Sequence, residues 1–224
     1  MLFRSVETLA VMRAYGLADR FPDEVLNDAR AAAASFSETV VPPDREDLTG
    51  DFILTIDPPD AKDYDDAISI RRLDGGDENS PITDSREAVW ELGVHIADVS
   101  NFVTPGSALD IEANKRGNST YLPRKVVPML PELLSNGVCS LQEGVNRFCK
   151  SCFMHFDAKG RVVAARFSRT VIRSAKRLTY LEAQALIDGD LRAATKHAKT
   201  EPKYRRPLPE KLRLMNALSQ IIRQ

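Results

Sequence analysis

The sequence predicts an α+β fold in which a mixed, largely antiparallel sheet is flanked by helices. Before position 37, apolar residues recur at helical spacing, and from position 52 to 172 short β-type runs alternate with turn residues. Helical spacing returns after position 179. With 224 residues, of which 43% are hydrophobic, the chain can form a packed core.

Five helices are predicted, at residues 6–15, 22–36, 107–116, 179–188 and 208–223. Gly16 ends the first helix, and Pro22 stands where the first turn of a helix tolerates proline. Residues 37–50 contain Pro42, Pro43 and several acidic side chains, which indicates an exposed connector.

Five strands are predicted, at residues 52–56, 67–71, 89–99, 147–156 and 161–172. Residues 157–160 have the composition of a hairpin turn, and residues 74–86 that of a loop. The chain therefore divides into a helical, acidic linker region at 1–50 and an α+β region at 51–224.

The composition excludes some classes of protein. No stretch of about 18 apolar residues is present, so no membrane span is expected, and the first residues lack a signal-peptide pattern. We expect a cytoplasmic protein. The formal net charge is −1, but residues 159–177 carry seven basic residues and no acidic one. Such a run is usually a solvated strand face, and it indicates phosphate binding only if other features point to RNA.

Three cysteines do not make a disulfide framework. Cys149, Cys152 and His155 have the start of a zinc-site spacing, but strand alternation would put the two cysteines on opposite faces, and no second ligand pair follows. A structural role is the favoured interpretation.

The most informative segment holds five aspartates within residues 57–66, with Lys62 as the local cation. If these carboxylates met on a folded core, repulsion and desolvation would raise their pKa values, and a hard cation such as Mg²⁺ would relieve that conflict. An acidic surface turn is the simpler alternative. An EF-hand does not fit, because Ala67 and Ile68 stand where that loop needs an oxygen ligand and a glycine.

Several ordered motifs resemble the catalytic (RNB) domain of the ribonuclease II and ribonuclease R family. They are Thr55 to Ile68, Gly93 to Ser100, Asn118 to Pro123, Pro128 to Pro131, Cys139 to Leu141, Ile172 to Ala175 and Leu178 to Glu182. The resemblance implies the N-terminal half of an RNB-type domain. It further implies a magnesium-dependent 3′-to-5′ exoribonuclease, with manganese as a substitute metal, that hydrolyses single-stranded RNA to nucleoside 5′-monophosphates.

The resemblance also assigns roles to residues. Asp57, Asp63, Asp65 and Asp66 match the four active-site aspartates, with Asp57 and Asp66 as direct metal ligands and Asp63 in support. Asp65 is then the residue most closely tied to catalysis. Tyr121 matches a tyrosine that packs near the 3′-terminal base.

The basic run adds Arg166, Arg169 and Arg173 as candidate ligands of RNA phosphates, whereas His95 is expected to be structural. The resemblance further implies partners for this region, namely the missing C-terminal half and separate RNA-binding domains. The alternative is a truncated, non-catalytic relative that retains metal binding or weak RNA binding. A metal-dependent hydrolase of other phosphate substrates also remains open.

Overall fold

The computed structural model of the chain describes residues 2–74, 87–122 and 125–223, with side chains from residue 7 onwards. The chain separates into two compact units. The first comprises Met1–Ser37 and Val99–Val138, and the second comprises Glu38–Asp98 and Cys139–Gln224. Each unit is described by itself.

The strands in the described part of the chain are β1 (Glu46–Asp57), β2 (Asp66–Arg72), β3 (Trp90–Ala97), β4 (Thr120–Leu122), β5 (Lys125–Val127), β6 (Asn146–Phe156) and β7 (Val162–Thr179). The helices there are α1 (Leu2–Ala14), α2 (Asp23–Ala34), α3 (Ala108–Arg116), α4 (Tyr180–Ile187), α5 (Leu191–His197) and α6 (Leu208–Ile222). Shorter helical segments occupy Val99–Asn101 and Leu133–Val138.

The second unit is a closed barrel with the strand order β1, β2, β3, β6, β7. Four of its pairings are antiparallel, and β1 runs parallel to β7, with Glu46 opposite Thr170 and Asp57 opposite Thr179. The predicted α+β class and its mixed, largely antiparallel sheet are therefore confirmed. Closure into a barrel was not predicted, because it depends on a pairing between strands that are far apart in sequence.

The three C-terminal helices cover the barrel through two apolar clusters. The first joins β1 and β7 to helices α4 to α6 and contains the buried side chains of Leu54, Leu178, Leu186, Leu208 and Leu212. The second packs α6 against β2 and β3 and contains Ile70, Trp90, Leu214 and Leu218. Burial of this apolar area holds the helices on the sheet.

The direction in which α4 leaves the barrel is set where β7 ends. The Thr179 side chain accepts a hydrogen bond from the Glu182 amide, and the Glu182 side chain accepts one from the Thr179 amide. This reciprocal cap satisfies two backbone donors at the start of α4.

A polar network fills part of the barrel core. His95 is fully buried, with Nε2 3.0 Å from Ser69 Oγ and Nδ1 2.7 Å from Ser151 Oγ, and Ser151 Oγ in turn lies 2.7 Å from Thr170 Oγ1. Gly93 lies beside this network, where a Cβ atom would be only 2.9 Å from His95 Nε2. His95 is thus a core residue, in agreement with the structural role predicted for it.

The first unit is mainly helical. Leu109 and Leu134 are buried in it, and the rings of Phe36 and Phe102 meet edge to face with centroids 5.6 Å apart. Arg116, at the end of α3, donates hydrogen bonds to three backbone carbonyls and to Glu112.

The element bounds differ from the prediction in several places. Strand β1 begins at Glu46, inside the segment predicted to be an exposed connector, because its first residues pair with β7 despite their acidic composition. Helix α5 and the β4–β5 hairpin were not predicted, since each is too short to show a hydrophobic period. The loop predicted at residues 74–86 lies outside the described residues, except for Asp74. Among the described helices, none is long and apolar enough to cross a membrane.

Candidate active site

The aspartate segment links two neighbouring strands of the barrel. Asp57 is the last residue of β1 and Asp66 is the first residue of β2. Because β1 and β2 are antiparallel neighbours, the connection between them, with Asp63 and Asp65, lies at one end of the barrel. The fold therefore gathers the four predicted aspartates into one region.

Asp57 is the buried member of this group, with 8% of its surface exposed. Its Oδ2 atom is buried and has no hydrogen-bond partner among the described residues. Burial and, after it, the negative charge of Asp66 raise the pKa of this carboxyl to about 6, although the Arg177 guanidinium opposes the shift. An unpaired carboxylate in this position is costly, so it favours a bound cation.

The other three aspartates are more accessible. Asp63 is half-buried, and Asp65 and Asp66 are exposed. Neighbouring protein atoms still desolvate the Asp65 carboxyl enough to raise its pKa, and the charges of Asp63 and Asp66 add to the shift. The four carboxylates are thus close enough to repel one another.

Within the described residues, no three Asp, Glu, His or Cys side chains already converge as a metal cage. This does not conflict with Mg²⁺, which usually keeps several waters and takes one or two carboxylates together with substrate phosphate oxygens. The oxygen-only donor set and the unpartnered Oδ2 of Asp57 fit such an ion. Asp66, whose charge raises the pKa of Asp57 more than that of Asp65 does, is the candidate for a second ligand.

The connection between β1 and β2 is fastened from one side by the segment 139–141. Ser140 Oγ accepts a hydrogen bond from the Tyr64 amide (3.2 Å) and donates one to the Lys62 carbonyl (2.8 Å). The Leu141 amide donates to the Tyr64 carbonyl (2.9 Å). Burial and, after it, the negative charge of nearby Asp65 raise the pKa of the Cys139 thiol to about 12.

Arg177 holds the same connection through contacts of its own. Its Nη2 atom donates to the carbonyls of Pro58 and Pro59, both at 3.2 Å, and its guanidinium lies 5.0 Å from the centre of the Tyr64 ring. Sequence reasoning missed Ser140 and Arg177. Ser140 stands inside a family-like motif and Arg177 ends the basic run, but neither position signalled a contact with residues 58–64.

The three arginines predicted to bind RNA lie on β7 in different surroundings. Arg166 makes a two-pronged ion pair with Glu46 (2.8 and 3.0 Å), and Arg169 pairs with Asp44 at 2.6 Å. Arg173 is exposed. The acidic partners offset part of the positive charge that the sequence showed, and the RNA-binding role of all three stays a prediction.

Tyr121 lies on β4 in the first unit and is 68% exposed. Its side chain is therefore accessible for stacking on a base, which stays a prediction as well.

Cys149, Cys152 and His155, whose spacing resembles the start of a zinc site, all lie on β6. Cys149 is fully buried and Cys152 is half-buried, and both are free thiols. His155 Nε2 lies 2.8 Å from Glu91 Oε2.

Comparison with known proteins places this barrel and its aspartates in context. The RNB domain family matches residues 45–224. Ribonuclease R of Acidithiobacillus ferrooxidans is 43% identical over 200 residues, which is 88% of this chain and 42% of that protein. The chain spans less than half the length of the curated relatives it matches.

Solved structures agree with the sequence matches. Mycoplasma genitalium RNase R, determined in complex with double-stranded RNA, superposes with a TM-score of 0.78 at 29% identity. The match covers 97% of this chain and 35% of the RNase R chain. Yeast Ssd1, described as a pseudonuclease, shares the fold alone, with a TM-score of 0.56 at 19% identity over 84% of this chain and 20% of its own. The resemblance drawn from the sequence motifs is confirmed, and the chain belongs to the RNB domain family.

Proposed function

We propose that this chain carries the metal-binding part of a magnesium-dependent 3′-to-5′ exoribonuclease, which hydrolyses single-stranded RNA and releases nucleoside 5′-monophosphates. The observation that carries the proposal is the buried Oδ2 of Asp57, which has no hydrogen-bond partner in the described part of the chain and lies among three further carboxylates at one end of the barrel. Membership of the RNB domain family supports it.

In this proposal Asp57 and Asp66 hold the metal ion, and manganese can replace magnesium because it accepts the same oxygen ligands. Asp57 is fixed by burial, whereas Asp66 is exposed and free to turn towards the ion. Asp63 supports the site electrostatically. Asp65, which stands between Asp63 and Asp66 in the sequence, is also exposed, and its carboxylate faces the terminal nucleotide and the attacking water.

The reaction is attack of water on the last phosphodiester of the RNA. A bound Mg²⁺ supplies charge neutralisation at the phosphate and lowers the pKa of a bound water. The protein's own contribution is orientation, because Asp57 and Asp66 are presented by the adjoining ends of two hydrogen-bonded strands.

RNA as the substrate is supported by the relatives, since Mycoplasma genitalium RNase R was determined with double-stranded and with ribose-methylated single-stranded RNA. In this chain, the exposed Tyr121 and Arg173 are suited to stacking on a base and to pairing with a phosphate. Arg166 and Arg169 would first have to exchange their acidic partners for RNA.

The test is hydrolysis of 5′-labelled single-stranded RNA by the chain with Mg²⁺, compared with the same reaction in EDTA. We expect a ladder of products shortened one nucleotide at a time from the 3′ end, which Asp65→Asn abolishes. Asp60→Asn is the matched control, because Asp60 is an exposed aspartate of the same segment that matches none of the family's active-site positions. Equal loss in both variants would contradict the assigned roles.

A second candidate is a chain that binds metal or RNA without hydrolysing it. This candidate requires only metal binding at Asp57 and Asp66, which the same acidic segment supplies. Binding of Mn²⁺ without any RNA ladder would support this candidate and contradict the nuclease proposal for the chain alone.

A further inference from the structure

The connection between β1 and β2 has no regular secondary structure of its own across residues 58–65, yet it carries Asp63 and Asp65. Its shape therefore depends on contacts with other parts of the barrel unit. Two side chains supply such contacts, Ser140 from the segment before β6 and Arg177 from β7.

Ser140 has no exposed surface, and its hydroxyl makes two hydrogen bonds. It accepts from the Tyr64 amide and donates to the Lys62 carbonyl, so it bridges the residues on either side of Asp63. Its own carbonyl accepts a 2.9 Å hydrogen bond from Nε of the buried Arg147. The hydroxyl is thus held in place and in turn fixes the backbone that carries Asp63.

Arg177 is 7% exposed and holds the carbonyls of Pro58 and Pro59, directly after Asp57. Its Nε is buried without a partner among the described residues. A buried, unpaired N–H costs stability, so stability alone does not account for an arginine in this place. Because Nε is buried, the guanidinium is not positioned to grip a substrate from that side, and its effect must pass through the segment it holds.

We propose that Ser140 and Arg177 are positioning residues, which together hold residues 58–64 in the shape that lets the aspartates bind a divalent cation. The inference rests on the proposed function, since it concerns the same metal site.

Removing the Ser140 hydroxyl leaves the Tyr64 amide and the Lys62 carbonyl without that partner, and the segment gains freedom that metal binding must then remove. Residues that orient metal ligands typically contribute a factor of about 10 to 100 to metal affinity. We therefore expect Ser140→Ala and Arg177→Met each to weaken the affinity for the cation about tenfold or more.

The experiment measures binding of Mn²⁺ alone by electron paramagnetic resonance, together with hydrogen exchange at the Tyr64 and Leu141 amides of the metal-free chain. Ser140→Ala should weaken Mn²⁺ binding and speed exchange of the Tyr64 amide. Ser140→Thr, which keeps the hydroxyl, should restore much of both. The matched control is Ser151→Ala, which removes an equally buried hydroxyl from the barrel core and should lower the melting temperature without changing Mn²⁺ affinity.

The outcomes separate the two proposals. If the unaltered chain binds no Mn²⁺, the proposed metal site itself is wrong. If it binds Mn²⁺ and Ser140→Ala and Arg177→Met bind equally well, the positioning role is wrong and the metal site stands. If Ser151→Ala weakens Mn²⁺ binding as much as Ser140→Ala, the effect is general loss of stability and the positioning role is again overturned.

Discussion

The ion pair between Arg45 and Asp98 provides a sharp test of how the barrel unit is held together. Asp98 belongs to one of the family-like motifs, but the structure gives it a stabilising contact rather than a place among the metal ligands. Arg45 Nη2 lies 2.7 Å from Asp98 Oδ2, and the two side chains are only 1% and 2% exposed. The guanidinium also lies 4.1 Å from the centre of the Phe148 ring.

Replacing Arg45 with methionine keeps most of the side-chain volume and removes the charge. Asp98 would then be a buried carboxylate without its main partner, a change that typically costs about 3–5 kcal/mol. Lys150 Nζ, 3.7 Å from Asp98 Oδ1 and largely exposed, offsets part of this loss. We therefore expect Arg45→Met to lower the free energy of unfolding by about 3 kcal/mol.

The assay is urea unfolding followed by tryptophan fluorescence. The chain has one tryptophan, Trp90, which is 1% exposed and so reports on the barrel core. Lys150→Met is the control, because it removes the contact of the largely exposed Lys150 with Asp98. It should lower the free energy of unfolding by less than about 1 kcal/mol. The double variant Arg45→Met with Asp98→Asn should recover part of the loss, because no buried charge is left unpaired.

A loss below about 1 kcal/mol in Arg45→Met would refute this reasoning. It would mean that Asp98 is hydrated in solution and that the ion pair contributes no more than a surface contact.

Three further predictions concern the barrel and its site. Gly93→Ala should lower the melting temperature, with a loss of about 1–3 kcal/mol in calorimetry, because the new Cβ would displace Ser69 or His95; an unchanged melting temperature would contradict the close approach. Burial lowers the pKa of His95 to about 4 from its usual 6.5, so the folded state disfavours the proton. Stability should therefore fall by about 3 kcal/mol as the pH drops from 6.5 through 4, and His95→Gln should flatten this dependence in urea titrations. Asp57→Asn should abolish the proposed hydrolysis yet stabilise the metal-free chain at pH 8, by about 1 kcal/mol after allowance for solvent screening, because the raised pKa of Asp57 marks an ionised carboxylate that the fold disfavours; a lower melting temperature would count against this.

The local elements could be predicted because their signals are local. The cap at Thr179 and Glu182 is visible in the sequence as a helix start, and the turn at 157–160 is built by Asp157, whose side chain accepts hydrogen bonds from the Lys159 and Arg161 amides. The start of β1 at Glu46, ahead of the predicted strand at 52–56, could not be predicted from local sequence signals. Its stability comes from pairing with β7, whose partner residue Thr170 is remote in sequence.

The candidate site divides similarly. The aspartates were found from their density and their resemblance to a family motif, since five carboxylates in ten residues are a conflict that is visible without coordinates. Neither the density of the aspartates nor the motif could predict which aspartate is buried. Asp57, the last residue of β1, is covered by the folded chain, whereas Asp65 and Asp66 stay accessible.

The sequence by itself determined the family, the α+β class and the acidic segment on which any metal chemistry depends, because these follow from residue type and order. The tertiary structure alone decided that the sheet closes into a barrel, that Arg45 neutralises Asp98 and that Ser140 and Arg177 hold the segment between β1 and β2. The physical reason is that hydrogen bonds and charge pairs between distant residues depend on how the chain folds back on itself, which no local pattern encodes.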